Sequence, residues 1–192
     1  MAVKMPGTTT KAIFTAEDLG AIQAATGRDF ELVRGELYEV TPPTGIHGYV
    51  QTRMASHLMQ WADEHDAGDV FTESGFKLQS DPDTVLGPDV SFVAKGRITD
   101  EQMDRGSFPL GPDVAVEIRS PNDTWAHLER KAQDYFGAGT KLVILIEPRR
   151  FIEVLRPTGK RRRLGLDDVI EANDMLPGFR CRVRNLFPKE NR

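Results

Sequence analysis

The sequence predicts a mixed α/β fold, a β-sheet core with helices packed on it, and three observations carry that prediction. Leu142-Val143-Ile144-Leu145-Ile146 is an unbroken apolar run, the pattern of a strand buried on both faces. Ile46, Val50, Met54, Leu58 and Trp61 recur at helical spacing, which makes 45 to about 65 an amphipathic helix. Around these lie short β-branched segments punctuated by Gly, Pro and Asp. Hairpin, helix, hairpin, strand, helix and buried strand follow one another, the order of an α/β (α+β) sheet flanked by helices.

In chain order, residues 1–10 read as a flexible leader before a single domain over 11–192. A short helix comes next, capped at Thr15 with Asp18 three residues on, an acidic variant of the capping box. Residues 30–33 and 36–40, joined by Arg34-Gly35, form an N-terminal hairpin across a tight turn. Thr41-Pro42-Pro43 stops its second strand. After the amphipathic helix, 70–79 reads as one strand, 80–83 as a turn, and 85–94 as the next strand, opened by Gly87-Pro88. A loop runs over 95–112, then Val114-Ala115-Val116-Glu117-Ile118 forms a short central strand. Ser120-Pro121-Asn122-Asp123 breaks it and caps a helix from about 124 to 136, which Gly137 and Gly139 end. Beyond the buried run come a strand at 151–155, a basic turn at 160–163, and Leu176-Pro177-Gly178-Phe179, which closes the fold.

Composition narrows the function classes. With 39% hydrophobic and 28% charged residues the chain is globular. It has no stretch near the ~20 apolar residues of a membrane span. The only cysteine, Cys181, rules out an intramolecular disulfide and a multi-cysteine zinc site. With no secretory pattern at the N-terminus, a cytoplasmic location is expected. The net charge of −4 argues against a nucleic-acid partner, but its distribution does not. Residues 148–192 hold 12 Lys or Arg against 6 Asp or Glu, a tail at +6 beside a body at −10. Such a tail suggests a local anion-binding surface, and Arg161, Arg162 and Arg163 are its densest run.

Two carboxylates suit a divalent metal. Mg2+ takes oxygen ligands, often one or two carboxylates plus water and substrate phosphate. Asp89 opens one strand and Glu117 lies within another, on the face it shares with Asp113, Ala115 and Arg119. A carboxylate between Val116 and Ile118 in a central strand is costly unless paired or metal-bound. Asp113 is a rival, but it lies roughly 13 Å from Glu117 along the strand. Gly-Pro-Asp occurs at both 87–89 and 111–113, and either copy can be a plain turn signal.

These residues recur in an order that resembles a known family. Phe-Glu-Leu-Val-Arg-Gly-Glu-Leu at 30–37 is followed by His47 and by Gly-Pro-Asp-Val at 87–90. Pro-Asp-Val-Ala-Val-Glu-Ile-Arg-Ser-Pro at 112–121 comes next, then Lys131 with Tyr135 and Gly139, Ile-Glu-Pro at 146–148, and Leu-Pro-Gly-Phe at 176–179. Together they resemble the Uma-type restriction endonucleases of the PD-(D/E)xK nuclease superfamily. The resemblance implies a restriction-endonuclease-like core and Mg2+-dependent hydrolysis of DNA, with Mn2+ as a substitute. It implies Asp89 and Glu117 as metal ligands, Lys131 as the catalytic lysine, and Glu31 and His47 lining the site. A homodimer is expected by analogy with related nucleases.

One departure matters. The superfamily's lysine usually stands two residues after the glutamate, where this chain has Arg119. Arginine stays protonated and can hold a phosphate but not act as a base. Lys131 instead lies beside the stripe of Leu128, Ala132 and Tyr135, placed to reach Glu117. Next to a dication its pKa would fall, suiting it to proton transfer. On the residues alone, Glu31 reads as a solubilising strand residue, His47 as a surface histidine and His57 as a packed one. The alternative to a nuclease is a non-catalytic DNA-binding or assembly module on the same fold; paired carboxylates beside a lysine favour catalysis.

Overall fold

The structure, a computed structural model, describes residues 13–104 and 106–189; the leader expected at 1–10 lies outside them. Helix α1 (Ala16–Thr26) begins at Thr15, whose hydroxyl accepts the Asp18 amide while the Asp18 carboxylate accepts the Thr15 amide. That reciprocal pair satisfies amides which a helix start otherwise leaves without partners. Strands β1 (Phe30–Val33) and β2 (Glu36–Glu39) form the expected hairpin. Its turn sets Arg34 at φ 49° and Gly35 at φ 78°, a left-handed pair that matches the twist of the strands. Helix α2 (Gly45–His65) then buries Val50, Met54, Leu58 and Trp61 on one stripe.

Two stretches that read as single strands are each broken in two. Residues 70–79 divide into β3 (Gly68–Phe71) and β4 (Gly75–Gln79), and 85–94 into β5 (Thr84–Leu86) and β6 (Val90–Ala94). Between β3 and β4, Glu73 takes φ 54° and its amide donates to the Pro88 carbonyl at 3.1 Å, so the two breaks lie against each other. There both segments change sheet, because β3 pairs with β6 and β4 pairs with β5. Pro88 has no amide for a ladder, which favours a break at that point.

The segment read as a loop over 95–112 contains α3 (Asp100–Met103) and β7 (Ser107–Phe108). Strand β8 (Val114–Ile118), helix α4 (Trp125–Gly137) and strand β9 (Leu142–Glu147) follow as a β-α-β unit, with β8 and β9 parallel. Strand β10 (Phe151–Leu155) returns antiparallel to β9. The basic segment read as a turn is the strand β11 (Arg161–Leu164), antiparallel to β10, with the turn just before it. It is an edge strand whose three arginines are exposed and whose Leu164 is buried. Strands β12 (Val169–Ala172) and β13 (Leu176–Arg182) close the chain.

The fold is mixed α/β, but its core is divided rather than a single sheet. Among the described residues there are a six-stranded sheet ordered β11-β10-β9-β8-β6-β3, a five-stranded sheet ordered β2-β1-β5-β4-β7, and the pair β12-β13. Helix α2 covers one face of the larger sheet, where Val114, Val116, Ile118, Leu142, Ile144 and Ile146 meet it. Helix α4 covers the other, against Ala115, Val143 and Leu145. The doubly covered strands β8 and β9 are therefore the centre of the molecule, and β12 and β13 seal the α2 side with Ile170, Leu176 and Phe179. Among the described residues no helix is long and apolar enough to cross a membrane.

Candidate active site

The site lies where β6 begins and β8 ends. The two strands pair with Val90 opposite Val116, and one step further along that register sets Asp89 opposite Glu117. Facing residues of an antiparallel pair carry their Cβ atoms about 4.5–5.5 Å apart. Asp89 is held on two sides: its Oδ2 accepts the Ile118 amide at 2.6 Å and lies 3.2 Å from His47 Nε2. One helical turn beyond His47, the Gln51 amide donates to the Asp89 carbonyl at 3.1 Å and to the Glu73 carboxylate at 2.9 Å.

Helix α4 supplies the other wall. Lys131 Nζ lies 3.1 Å from Glu117 Oε2 and 2.8 Å from Glu31 Oε1, so the ammonium bridges the hairpin and the central strand. Tyr135, one turn further along α4, donates its hydroxyl to Glu117 Oε1 at 2.6 Å. The Gly87 amide donates to Glu31 at 3.3 Å, which ties the hairpin to the loop before Asp89. Each helix thus presents two polar side chains at i and i+4, His47 with Gln51 and Lys131 with Tyr135, because that spacing puts both on one face.

Glu31, His47, Asp89, Glu117 and Lys131, singled out in the sequence, come together here. The local reading of Glu31 and His47 as solvated residues does not hold. The Glu31 side chain is only 12% exposed and His47 only 5%. Tyr135, Gln51 and Glu73 were not recognised as polar members of the site. Lys131 and Tyr135 share an i,i+4 face, and that spacing was the available signal for Tyr135; Glu73 has none, since it reaches the site through a strand break.

Burial sets the electrostatics. It pushes the Glu117 carboxyl up to about 7; Lys131 and the Tyr135 hydroxyl oppose the shift, and the Asp89 and Glu31 carboxylates add to it. Lys131 is also buried, which disfavours its charge, but Glu117 and Glu31 outweigh that and hold its pKa above the ordinary lysine range. The same contest at His47 ends with its pKa raised, because Asp89 more than offsets burial. His47 Nδ1 is buried with no hydrogen-bond partner among the described residues.

Asp113, the rival carboxylate, lies at the far end of β8 and has a different task. It is fully buried, and its carboxylate takes the Ala94 amide at 2.9 Å, Lys141 Nζ at 2.8 Å and the Arg97 guanidinium. These donors hold its pKa below the usual carboxylate range in spite of burial. Asp113→Ala is expected to cost about 2 kcal/mol of stability, chiefly from the stranded amide, since Arg97 and Lys141 can turn to water. The check is the urea midpoint; a midpoint equal to the parent's would remove the structural role.

The four arginines singled out as phosphate contacts are not gathered at the carboxylates. Arg119 donates to both Glu147 oxygens, at 2.5 and 3.0 Å, and to the Asp123 carbonyl at 3.0 Å. Arg161 pairs with Glu129 at 2.5 Å and lies 3.3 Å from Glu153, while Arg163 pairs with Glu153 at 2.7 Å. Arg162 points to the opposite side of β11 from those two and is exposed.

The donor set fits a magnesium-type ion. Asp89 and Glu117 are two hard oxygen donors, the number such an ion commonly takes while keeping water and substrate phosphate in its shell. Among the described residues no group of three or more His, Cys, Asp or Glu is arranged to hold a metal.

Comparison with known proteins bears on the family and the fold. The model of the Uma2 family, described as "Putative restriction endonuclease", matches residues 16–184. A crystal structure of "a putative nuclease belonging to DUF820" from Anabaena variabilis ATCC 29413 shares 21% identity, covering 84% of this chain and 91% of that one, with a TM-score of 0.75. That likeness shows a common fold. No curated protein matches the chain.

Proposed function

Because this chain belongs to the Uma2 family, described as "Putative restriction endonuclease", we propose that it is a Mg2+-dependent endonuclease of the PD-(D/E)xK type that hydrolyses phosphodiester bonds in DNA. The reading rests on the juxtaposition of Asp89 and Glu117 across β6 and β8 with Lys131 held against Glu117. Asp89 and Glu117 would hold the cation, with Mn2+ as a substitute. Bound there, it would polarise the scissile phosphate and bring water within reach of neutral pH as a nucleophile.

The side chains have separate tasks. Lys131, kept protonated by Glu31 and Glu117, offers a fixed positive charge to the phosphate oxygens as negative charge develops on them. Before a cation binds it is therefore a charge stabiliser; the fall in its pKa expected beside a dication would act against this raised starting point. Glu31 positions Lys131, Tyr135 positions Glu117, and His47 with the Ile118 amide orients Asp89. Arg119, Arg161, Arg162 and Arg163 would meet phosphates outside the reacting centre. A homodimer would bring two such sites together on one DNA.

Cleavage or nicking of DNA is expected with Mg2+ or Mn2+ and none in chelator; equal cleavage in chelator would sink the metal mechanism. The pH dependence has a definite sign. A proton and a cation compete for the Glu117 carboxylate, whose pKa stands near 7. Mn2+ affinity should therefore be full above that pH and fall as pH drops through it, by about tenfold per unit well below. Calorimetric titration at several pH values measures this, and an affinity that is flat across neutrality would contradict it.

A further inference from the structure

Beside the site, three flat side chains are in contact. The Arg163 guanidinium lies 4.1 Å over the Phe151 ring. Phe151 meets Trp125 with centroids 5.3 Å apart and planes at 57°. Phe151 belongs to none of the hydrophobic clusters among the described residues, and both rings are only partly buried. Two N–H bonds to the Glu153 carboxylate, at 3.0 and 2.7 Å, fix Arg163, yet its side chain remains 61% exposed. The guanidinium is therefore restrained against the ring while much of it faces solvent.

This cluster stands at the rim of the site. Across the sheet, Glu117 pairs with Leu145, Leu145 with Glu153, and Glu153 with Arg163, one row on the face covered by α4. Three strand spacings put the Arg163 backbone roughly 14 Å from that of Glu117. Trp125 opens α4 six residues before Lys131, about 9 Å along the helix axis. Arg149 and Arg150 are exposed in the turn that leads into Phe151.

We propose that the cluster of Trp125, Phe151 and Arg163 receives the bases of an unpaired stretch of DNA, so that the substrate class of the site is single-stranded DNA. This rests on the nuclease reading above. A guanidinium plane or an indole can cover a base only where its face is open, and a duplex hides base faces within its own stack. Reading a duplex needs side chains that extend to base edges in a groove, and Arg163 is tied back to Glu153. As a cap for the sheet edge alone, a buried carboxylate with its arginines would be a poor choice, since apolar residues of similar volume usually serve stability as well or better. The basic tail supplies charge for the strand's phosphates whether or not its bases are paired.

The test is anisotropy with a labelled oligothymidylate and with a hairpin duplex of equal phosphate number, both in Ca2+. The parent is expected to bind the single strand more tightly. Trp125→Ala and Phe151→Ala should each weaken it roughly 5- to 100-fold and leave the duplex unchanged, the effect of losing one stacked base. Arg163→Lys, which keeps the charge but not the plane, should shift the single strand alone in the same direction. Tryptophan emission gives a second readout. The chain has two tryptophans, and Trp61 is 7% exposed, so quenching by oligothymidylate should disappear in Trp125→Phe. Quenching that persists in Trp125→Phe, or a duplex bound as tightly as the single strand, overturns the proposal. If the duplex is also cut in Mg2+, the nuclease reading survives that failure. Absence of both binding and Mg2+-dependent cleavage for every substrate overturns both.

Discussion

Glu117→Gln and Asp89→Asn are each expected to lower Mg2+-dependent DNA cleavage on the order of a thousandfold or more, with the chain still folded. The two residues face each other across β6 and β8, and each exchange replaces an anionic ligand with a neutral one of the same shape. Glu117→Gln retains an acceptor for the Tyr135 hydroxyl, so the packing of α4 on the sheet should persist. Asp89→Asn keeps an oxygen for the Ile118 amide. Circular dichroism should match the parent while calorimetry shows Mn2+ binding lost or greatly weakened. Since burial and the neighbouring carboxylates disfavour the Glu117 anion, its neutral replacement should not lower the melting temperature appreciably. Retention of parental Mg2+-dependent turnover by either variant would remove these carboxylates from the chemistry.

Lys131→Met should lose about 100- to 1,000-fold in the chemical step, the range for removing one preorganised charge from a reacting centre. Methionine keeps most of the volume beside Leu128 and Ala132 but leaves Glu31 and Glu117 without the ammonium that bridges them. Mn2+ binding should be retained or tightened, because a dication then supplies the missing positive charge. Arg119→Ala should behave differently. That arginine is spent on Glu147 and the Asp123 carbonyl, so its loss should loosen the loop before α4 and weaken DNA binding, with a smaller effect on the chemical step. Single-turnover cleavage at saturating Mg2+ separates the two. If Arg119→Ala abolishes the step and Lys131→Met leaves it intact, the role assigned to Lys131 is wrong.

Much of this architecture is legible in local sequence because it is locally caused. The Thr15 cap marks a helix start through hydrogen bonds that span three residues, whereas α4 is capped by Thr124, just past the segment 120–123 read as its cap. The apolar run at 142–146 has the pattern of a strand covered on both faces and is one, and the stripe through Val50, Met54 and Leu58 is the buried side of a helix. Asp89 and Glu117 stand out because a carboxylate in or beside such strands needs a partner. Tertiary structure alone decided what depends on residues far apart in the chain. The breaks at 72–74 and 87–89 exist because each segment serves two sheets, and periodicity within a segment carries no record of its neighbours. Glu31 becomes a site residue only when Lys131, one hundred positions later, reaches it, and His47 only when α2 brings it against Asp89. Asp113 and Glu117 lie on the same face of one strand, yet Lys141 and Arg97 neutralise the first while the second meets Lys131 and a facing aspartate. The charge state and task of each carboxylate follow from which cations and amides the completed sheet brings beside it.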